Sequence, residues 1–491
     1  MSMKLIYKDV AVGADSDAAV TTSDAQSFCT PTRLPFGESV PPIATFEKDM
    51  WALDGSFVIR DGQTIPFWSK AISSADGVFS TPPAMTIAFD KQYTSLGIYL
   101  RFAPNTGDYC TAVTITWFRG TSQLAQKTFA PTSASYFCAN TVTAYDKVII
   151  SFGATNKPYR FVHLEQVLFG VFREFHADEL SEIKILQETN LISAELAINT
   201  LNWKLYSTEN VEYIFQLKQP VEAYNNDNLV GVFYLTGSKR TAAQIYEVAC
   251  QDAIGVLDGY PFTAAIYSAY NAVTLIRNIV GSDFDLEIDN SFSAATVTGF
   301  IPGCTKREAL QQVLFAIGAA CDTSGDRTIR IFAVPASGSE IADDRIYSGG
   351  SVDTDAIVTA IMVTAHTYTA GNGVNGDDVV EVGGTKYVHT TAVTTITNPT
   401  VTATDKQNII KIEEATLVSP ANVAAVAQRV YDYYTRRNTL NMKIVAEAEK
   451  PGDFVSLTTP WDTEMKGSIT SMSIVLSNTT AADIKVKAVN P

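Results

Sequence analysis

The side chains that could do chemistry in this chain are few and scattered. Four histidines occur, His163, His176, His366 and His389. Their spacing matches no common metal motif, and each reads as a strand or surface residue before it reads as a base. No G-x-S-x-G, phosphate-binding loop or H-E-x-x-H is present, and the glycines of Gly371-Asn-Gly-Val-Asn-Gly-Asp-Asp mark an exposed turn, not a dinucleotide fingerprint. Polysaccharide hydrolysis needs only two carboxylates, and Asp283, Asp285, Glu287 and Asp289 alternate along a strand pattern. Four like charges on one face repel, and the run lacks the glycine turn and closing glutamate of a calcium loop. A solvated sheet edge is therefore expected. The six cysteines, Cys29, Cys110, Cys138, Cys250, Cys304 and Cys321, include no C-x-x-C, so zinc and iron–sulfur chemistry has no support. Cys110 and Cys138 would form a disulfide only if their strands adjoin. These patterns predict no catalytic residue, no metal ligand, no cofactor and no enzyme activity.

Aromatic side chains offer a different chemistry, stacking on sugar rings. Trp51, Trp68, Tyr93 and Tyr109 are the candidates for such glycan binding. Strands of period two bury most of their aromatics, so a core position competes with the binding one at each.

The elements that position these residues read as mostly β. The chain has 491 residues, 46% apolar and 18% charged, enough for several cores. Short apolar–polar alternations broken by Asn, Ser, Thr and Gly signal antiparallel strands. At 112–118, Val113, Ile115 and Trp117 share one face. The predicted organisation is an N-terminal arm or adaptor at 1–45, a jelly-roll-like β-sandwich at 46–155, a first β-barrel domain at 156–267, a small α/β module at 268–340, and a second barrel at 341–491. Residues 252–259 read as one or two helical turns closed by Gly259. Longer helices are predicted at about 268–280, from Thr305 with Glu308 completing a capping box, and at about 420–435 with Ser419 as cap and Pro420 first. Strands from 341–370 are expected to help close the second barrel. The fold class is thus multidomain and mainly β, with smaller α+β parts.

A net charge of -16, with Lys and Arg never forming a stripe, argues against a nucleic-acid partner held by its phosphates. The N-terminal residues meet charge at once and lack the apolar run of a signal peptide, and no stretch is long and apolar enough for direct membrane insertion.

An ordered set of segments carries a resemblance. Glu188-Thr-Asn-Leu-Ile-Ser-Ala-Glu-Leu-Ala-Ile-Asn-Thr-Leu-Asn-Trp, Gln251-Asp-Ala-Ile-Gly-Val-Leu-Asp and Thr305-Lys-Arg-Glu-Ala-Leu-Gln-Gln-Val-Leu-Phe-Ala-Ile-Gly-Ala come first. Arg429-Val-Tyr-Asp-Tyr-Tyr-Thr-Arg-Arg, Lys450-Pro-Gly-Asp-Phe-Val and Gly467-Ser-Ile-Thr-Ser-Met follow. From about residue 160 onward the chain resembles the baseplate-hub and tail-associated proteins of tailed phages, prophages and phage tail-like particles. The resemblance implies tail-hub-like barrels and a homotrimer whose ring continues the tail tube and joins it to the tip. It implies as partners the tail tube or distal tail protein, the tape-measure protein and tip or spike proteins. It also implies a place in the virion tail or an extracellular tail-like particle, assembled in the host cytoplasm. An acidic lumen would repel passing DNA, which suits a conduit. The N-terminal sandwich departs from the simplest hub and opens the alternative of a tail-tip adhesin that binds host cell-surface glycan.

Overall fold

The computed structural model describes residues 3–10, 14–23, 47–48, 67–102, 107–206, 215, 217–225, 228–374, 378–401, 407–461, 463–476 and 480–489. The chain divides into two compact units, Ile6–Glu174 and Met1–Leu5 with Phe175–Pro491. Both are mainly β.

The N-terminal unit is built on β1 (Ala84–Phe102), β2 (Cys110–Arg119), β3 (Ser122–Phe129), β4 (Ser135–Thr155) and β5 (His163–Leu168). One sheet runs Phe67–Trp68, β5, β1, β4, β2, β3, with Ala19–Thr22 also on β1. The pairing of β1 with β4 shifts register between Ala88 and Gly97. Such bulges bend a strand sharply, so both halves of β1 face a shared core: Met85 and Ile87 from one, Ile98, Leu100 and Phe102 from the other. Gly97 is required inside the bend, because a Cβ there would stand 2.4 Å from the Cys138 carbonyl oxygen. Val113, Ile115 and Trp117 are fully buried on one face of β2, as their alternation predicts.

The second unit is organised by seven strands: β6 (Leu180–Glu188), β7 (Thr200–Tyr206), β8 (Asn228–Ala242), β9 (Ile245–Gln251), β10 (Asn438–Val445), β11 (Glu464–Leu476) and β12 (Thr480–Ala488). They lie side by side in the order β10-β12-β11-β6-β7-β9-β8. Because β6 pairs with both β7 and β11, strands from the middle and the end of the chain share one sheet. A single rung crosses all seven: Ile444, Ala482, Ile474, Ile185, Leu201, Cys250 and Leu235 are successive partners, and every one is buried. One residue along six of the strands, and two along β8 where a bulge lies between Leu235 and Gly237, the rung Val445–Ala481–Val475–Lys184–Asn202–Ala249–Gly237 follows. Period-two alternation between these two rungs therefore holds in register across six strands and is interrupted on β8.

Helices α1 (Ala253–Asp258), α2 (Ala272–Val280) and α3 (Lys306–Ile317) pack with the three-stranded sheet of residues 285–288, 320–322 and 328–332 around Leu275, Ile276, Leu310, Val313 and Ile329. Thr305 and Glu308 make the predicted capping box, and Gly318 closes α3 in the left-handed conformation at φ 81°. Two helix starts differ from the sequence reading. Residues 265–271 are a strand paired with 296–301, and Asn271 caps α2 by accepting from the Thr274 N–H. Helix α4 (Val423–Thr435) begins after a turn at 420–422, because the Asn422 side chain folds back onto the Ser419 N–H and competes with the helix.

The strands of 341–370 also divide. Ser351–Thr354 joins β10 in the large sheet. Ala360–Ala370 instead forms a separate four-stranded sheet with 378–382, 385–397 and 409–412. Its Ile361, Val363 and Ala365 pack on Val423, Val426 and Val430 of α4. The apolar face of 360–370 is thus covered by the amphipathic α4.

The packing predicts unequal responses on the two faces of β7. Trp203, 2% exposed, should cost about 3–5 kcal/mol when truncated to alanine. Its outward neighbour Asn202→Ala should change stability by less than about 0.5 kcal/mol. Urea unfolding followed by fluorescence and circular dichroism of the two variants measures the contrast.

Candidate functional site

The glycan candidates occupy different surroundings. Trp51 lies outside the described residues. Trp68 is only 5% exposed, its ring centroid 4.1 Å from that of His163 and 6.1 Å from that of Phe161. Tyr93 is half-buried, with its ring edge on Phe89 and its hydroxyl donating to Asp17 Oδ2 at 2.9 Å. Tyr109, also half-buried, is anchored through its backbone N–H to Asn156 Oδ1.

The acidic run is placed as its alternation predicts. Asp285 and Glu287 point outward while Leu286 and Ile288 pack on the core. Glu287 stands 3.5 Å from Arg330, and Asp289 accepts from the Ser291 N–H to cap a short 3-10 turn. The two cysteines considered for a disulfide are free thiols. Register sets Cys110 opposite Thr155 and Cys138 opposite Ile98. Burial pushes the Cys138 thiol up to about 12, so it is inert as a nucleophile.

Two clusters were not visible in the sequence. In the N-terminal unit, a carboxylate oxygen from each of Glu47 and Asp108 and a ring nitrogen of His163 lie within 4.8 Å of one another, and all three residues are buried. Two carboxylates and an imidazole are a donor set that divalent cations use. Here, however, Lys157 Nζ donates to Asp108 Oδ1 at 2.8 Å and Arg160 Nε stands 3.4 Å from the same carboxylate. Two cations match two carboxylates, so the group is charge-balanced as it stands. The Phe161 N–H donates to Glu47 Oε1, and the Arg160 guanidinium donates to the Lys48 carbonyl. Its chemistry is fastening: residues 47–48 are held on the segment 157–163.

In the four-stranded sheet, His389 Nδ1 is 2.6 Å from Asp378 Oδ2, and His389 Nε2 is 2.9 Å from His366 Nδ1. The carboxylate can only accept, so Nδ1 of His389 carries the proton, Nε2 accepts, and His366 Nδ1–H donates. The two imidazole planes are within 8° of parallel, and Tyr368 stacks on His389 at 4.7 Å. Burial, with His389 beside it, holds His366 below the ordinary histidine value.

A third polar group fastens the α+β part of the second unit to its sheet. Asp252 is 1% exposed and caps α1 by accepting from the Gly255 N–H at 3.0 Å. It also accepts from the Asn199 N–H at 3.1 Å and from the Thr323 hydroxyl. Asn199 in turn accepts from the Glu188 N–H and donates to Thr323. Burial pushes the Asp252 carboxyl up to about 6, against the pull of its donors.

The seven strands, part of a thirteen-stranded sheet, also present an outer face. A groove of about 530 Å³ runs along it past Glu182, Asn202, Lys204, Lys239 and Glu247. Lys204 pairs with Glu182 at 2.7 Å and lies 3.8 Å from Glu247. Lys443 faces Asp483 in the next strand. This face mixes both signs, unlike the chain as a whole.

Two outcomes follow. Asp252→Ala leaves the Asn199 N–H and the Thr323 hydroxyl without their acceptor and removes the α1 cap, so it should cost about 2–4 kcal/mol, read from urea unfolding. Trp68→Ala should cost about 3–5 kcal/mol, read as a lowered unfolding midpoint for the N-terminal unit.

No protein-family model matches the chain, and no curated protein matches it. Solved structures do. The tail protein from Neisseria meningitidis MC58 is 10% identical with a TM-score of 0.46, over 64% of this chain and 93% of that one. Prophage tail protein gp18 from Listeria monocytogenes EGD-e is 12% identical with a TM-score of 0.41, over 65% of this chain and 91% of that one. The 43 kDa tail protein of prophage MuSo2 from Shewanella oneidensis is 12% identical with a TM-score of 0.42, over 64% and 94%. Each of these three solved structures, to which this chain is similar, is of a tail protein.

Proposed function

We propose that this chain is a structural, non-enzymatic component of a phage tail or tail-like particle, and that it forms the trimeric hub joining the tail tube to the tip or baseplate. The observation that supports this reading is the junction of β6 with β11, which fuses two antiparallel blocks into one sheet with an apolar and a charged face. A ring needs repeated arcs of this kind: three copies around an axis would set six blocks side by side. The apolar rung makes each arc stiff, and the mixed-sign outer face stays solvated. The hydrogen-bonded clusters fasten segments to one another, which is the work of a scaffold. Its partners are then the tube or distal tail protein on one side, tip or spike proteins on the other, and the tape-measure protein within.

Size-exclusion chromatography with light scattering, followed by negative-stain imaging, tests the reading. A particle of three chains with a central hole is the expected result. A monomer that neither self-assembles nor binds co-expressed tail-tube protein would overturn it.

A further inference from the structure

The line Asp378–His389–His366 runs from solvent inward: the carboxylate is exposed, His389 is half-buried and His366 is 5% exposed. It spans three strands, since Asp378 lies directly across from His389, and His389 directly across from Tyr368, two residues beyond His366. We propose that this line is a proton-operated fastening, which holds the hairpin of residues 378–397 on strand Ala360–Ala370 at neutral pH and lets it open in acid.

The hydrogen-bond directions carry the argument. With one proton on each ring, every donor in the line meets an acceptor. One further proton has a place on the second nitrogen of His366: burial and the neighbouring His389 oppose the charged ring, and the Glu413 backbone favours it. A second further proton must land on His389 Nε2. It then replaces the acceptor by an N–H that faces the His366 N–H across 2.9 Å, and two imidazolium rings at that separation repel. In an opened hairpin both rings are solvated, and His366 regains the ordinary histidine value that burial denies it in the closed form. The open form therefore binds more protons, so the fastening holds above that value and weakens as pH falls through it.

The surroundings supply no other charge to the line among the described residues. Tyr368, its phenol pushed up to about 12 by burial and Asp378, stays neutral, and Phe300 covers it at 5.5 Å. Lys411 is 4.0 Å from Glu413. Lys386 and Glu381 oppose one another three residues along from His389 and Asp378, an odd step that puts them on the other face. Helix α4 packs on that other face, through Val423, Val426 and Val430.

Hydrogen–deuterium exchange of the full chain at pH 7.5 and 5.0, corrected for intrinsic rates, tests the proposal. Peptides within 360–370 and 385–397 should lose protection at least about tenfold at pH 5.0, the effect of one proton held off by about one pH unit, while β7 and β9 keep theirs. In the His366→Gln/His389→Gln variant the pH effect should shrink to less than about twofold, no imidazole being left to titrate. Asp378→Asn, at an exposed position, should move the loss of protection to higher pH. Equal protection of the wild-type peptides at both pH values would overturn the proposal, as would a loss spread evenly over the second unit. The trimer measurement is independent of this result: a pH-insensitive hairpin in a ring-forming trimer sinks the fastening alone.

Discussion

Everything in the second unit depends on one apolar rung in register across seven strands. Side chains in a sheet alternate strictly, so a slip of one residue at any of the six pairings would turn part of that rung to solvent and bring Lys184 or Asn202 inward. Burying an unpaired ammonium costs far more than any single apolar contact returns. The register is thus specified by what the wrong face would contain as much as by what the right face packs. The same constraint lets two blocks from distant parts of the chain behave as one surface.

Polar groups appear inside this protein where elements of different kind must be joined. Asp252 ties a helix start to a strand turn and to the residue after a short strand, all through donors that have no water to turn to. Asp108 and Glu47 do comparable work with cations as well as backbone N–H groups. Several hydrogen bonds converge on each carboxylate, and such convergence lets buried polarity specify an arrangement. Their chemistry is local geometry.

Local signals were legible in the sequence and long-range ones were not. The capping box of Thr305 and Glu308 depends on residues three apart, and it forms as read. Val113, Ile115 and Trp117 declare a buried face by period alone. The start of α4 was misplaced because a Ser-Pro pair looks like a cap, while Asn422 settles the matter with a side-chain bond back to Ser419. The His366–His389–Asp378 line could be read only after two hairpin registers were known, since each residue alone is an unremarkable polar position in a threonine-rich strand. Glu47, Asp108 and His163 meet through tertiary packing that no spacing announces. The resemblance carried by six short segments concerned their order, and order survives substitutions that erase pairwise identity.

The dual pairing of β6 also has a consequence for biosynthesis. Strand Leu180–Glu188 emerges from the ribosome long before Glu464–Leu476, yet it needs that strand to cover one of its edges. The N-terminal unit has all its strands within the first 174 residues and can fold while synthesis continues. The second unit cannot close until nearly three hundred further residues have been added, counting from 188 to 464. For that interval a hydrogen-bonding edge with Ile183 and Ile185 beside it stands open, the kind of edge on which nascent chains stick to one another. The outward Lys184 in the middle of that strand, charged and unable to enter a neighbouring core, is placed where it discourages such pairing until the proper strand arrives.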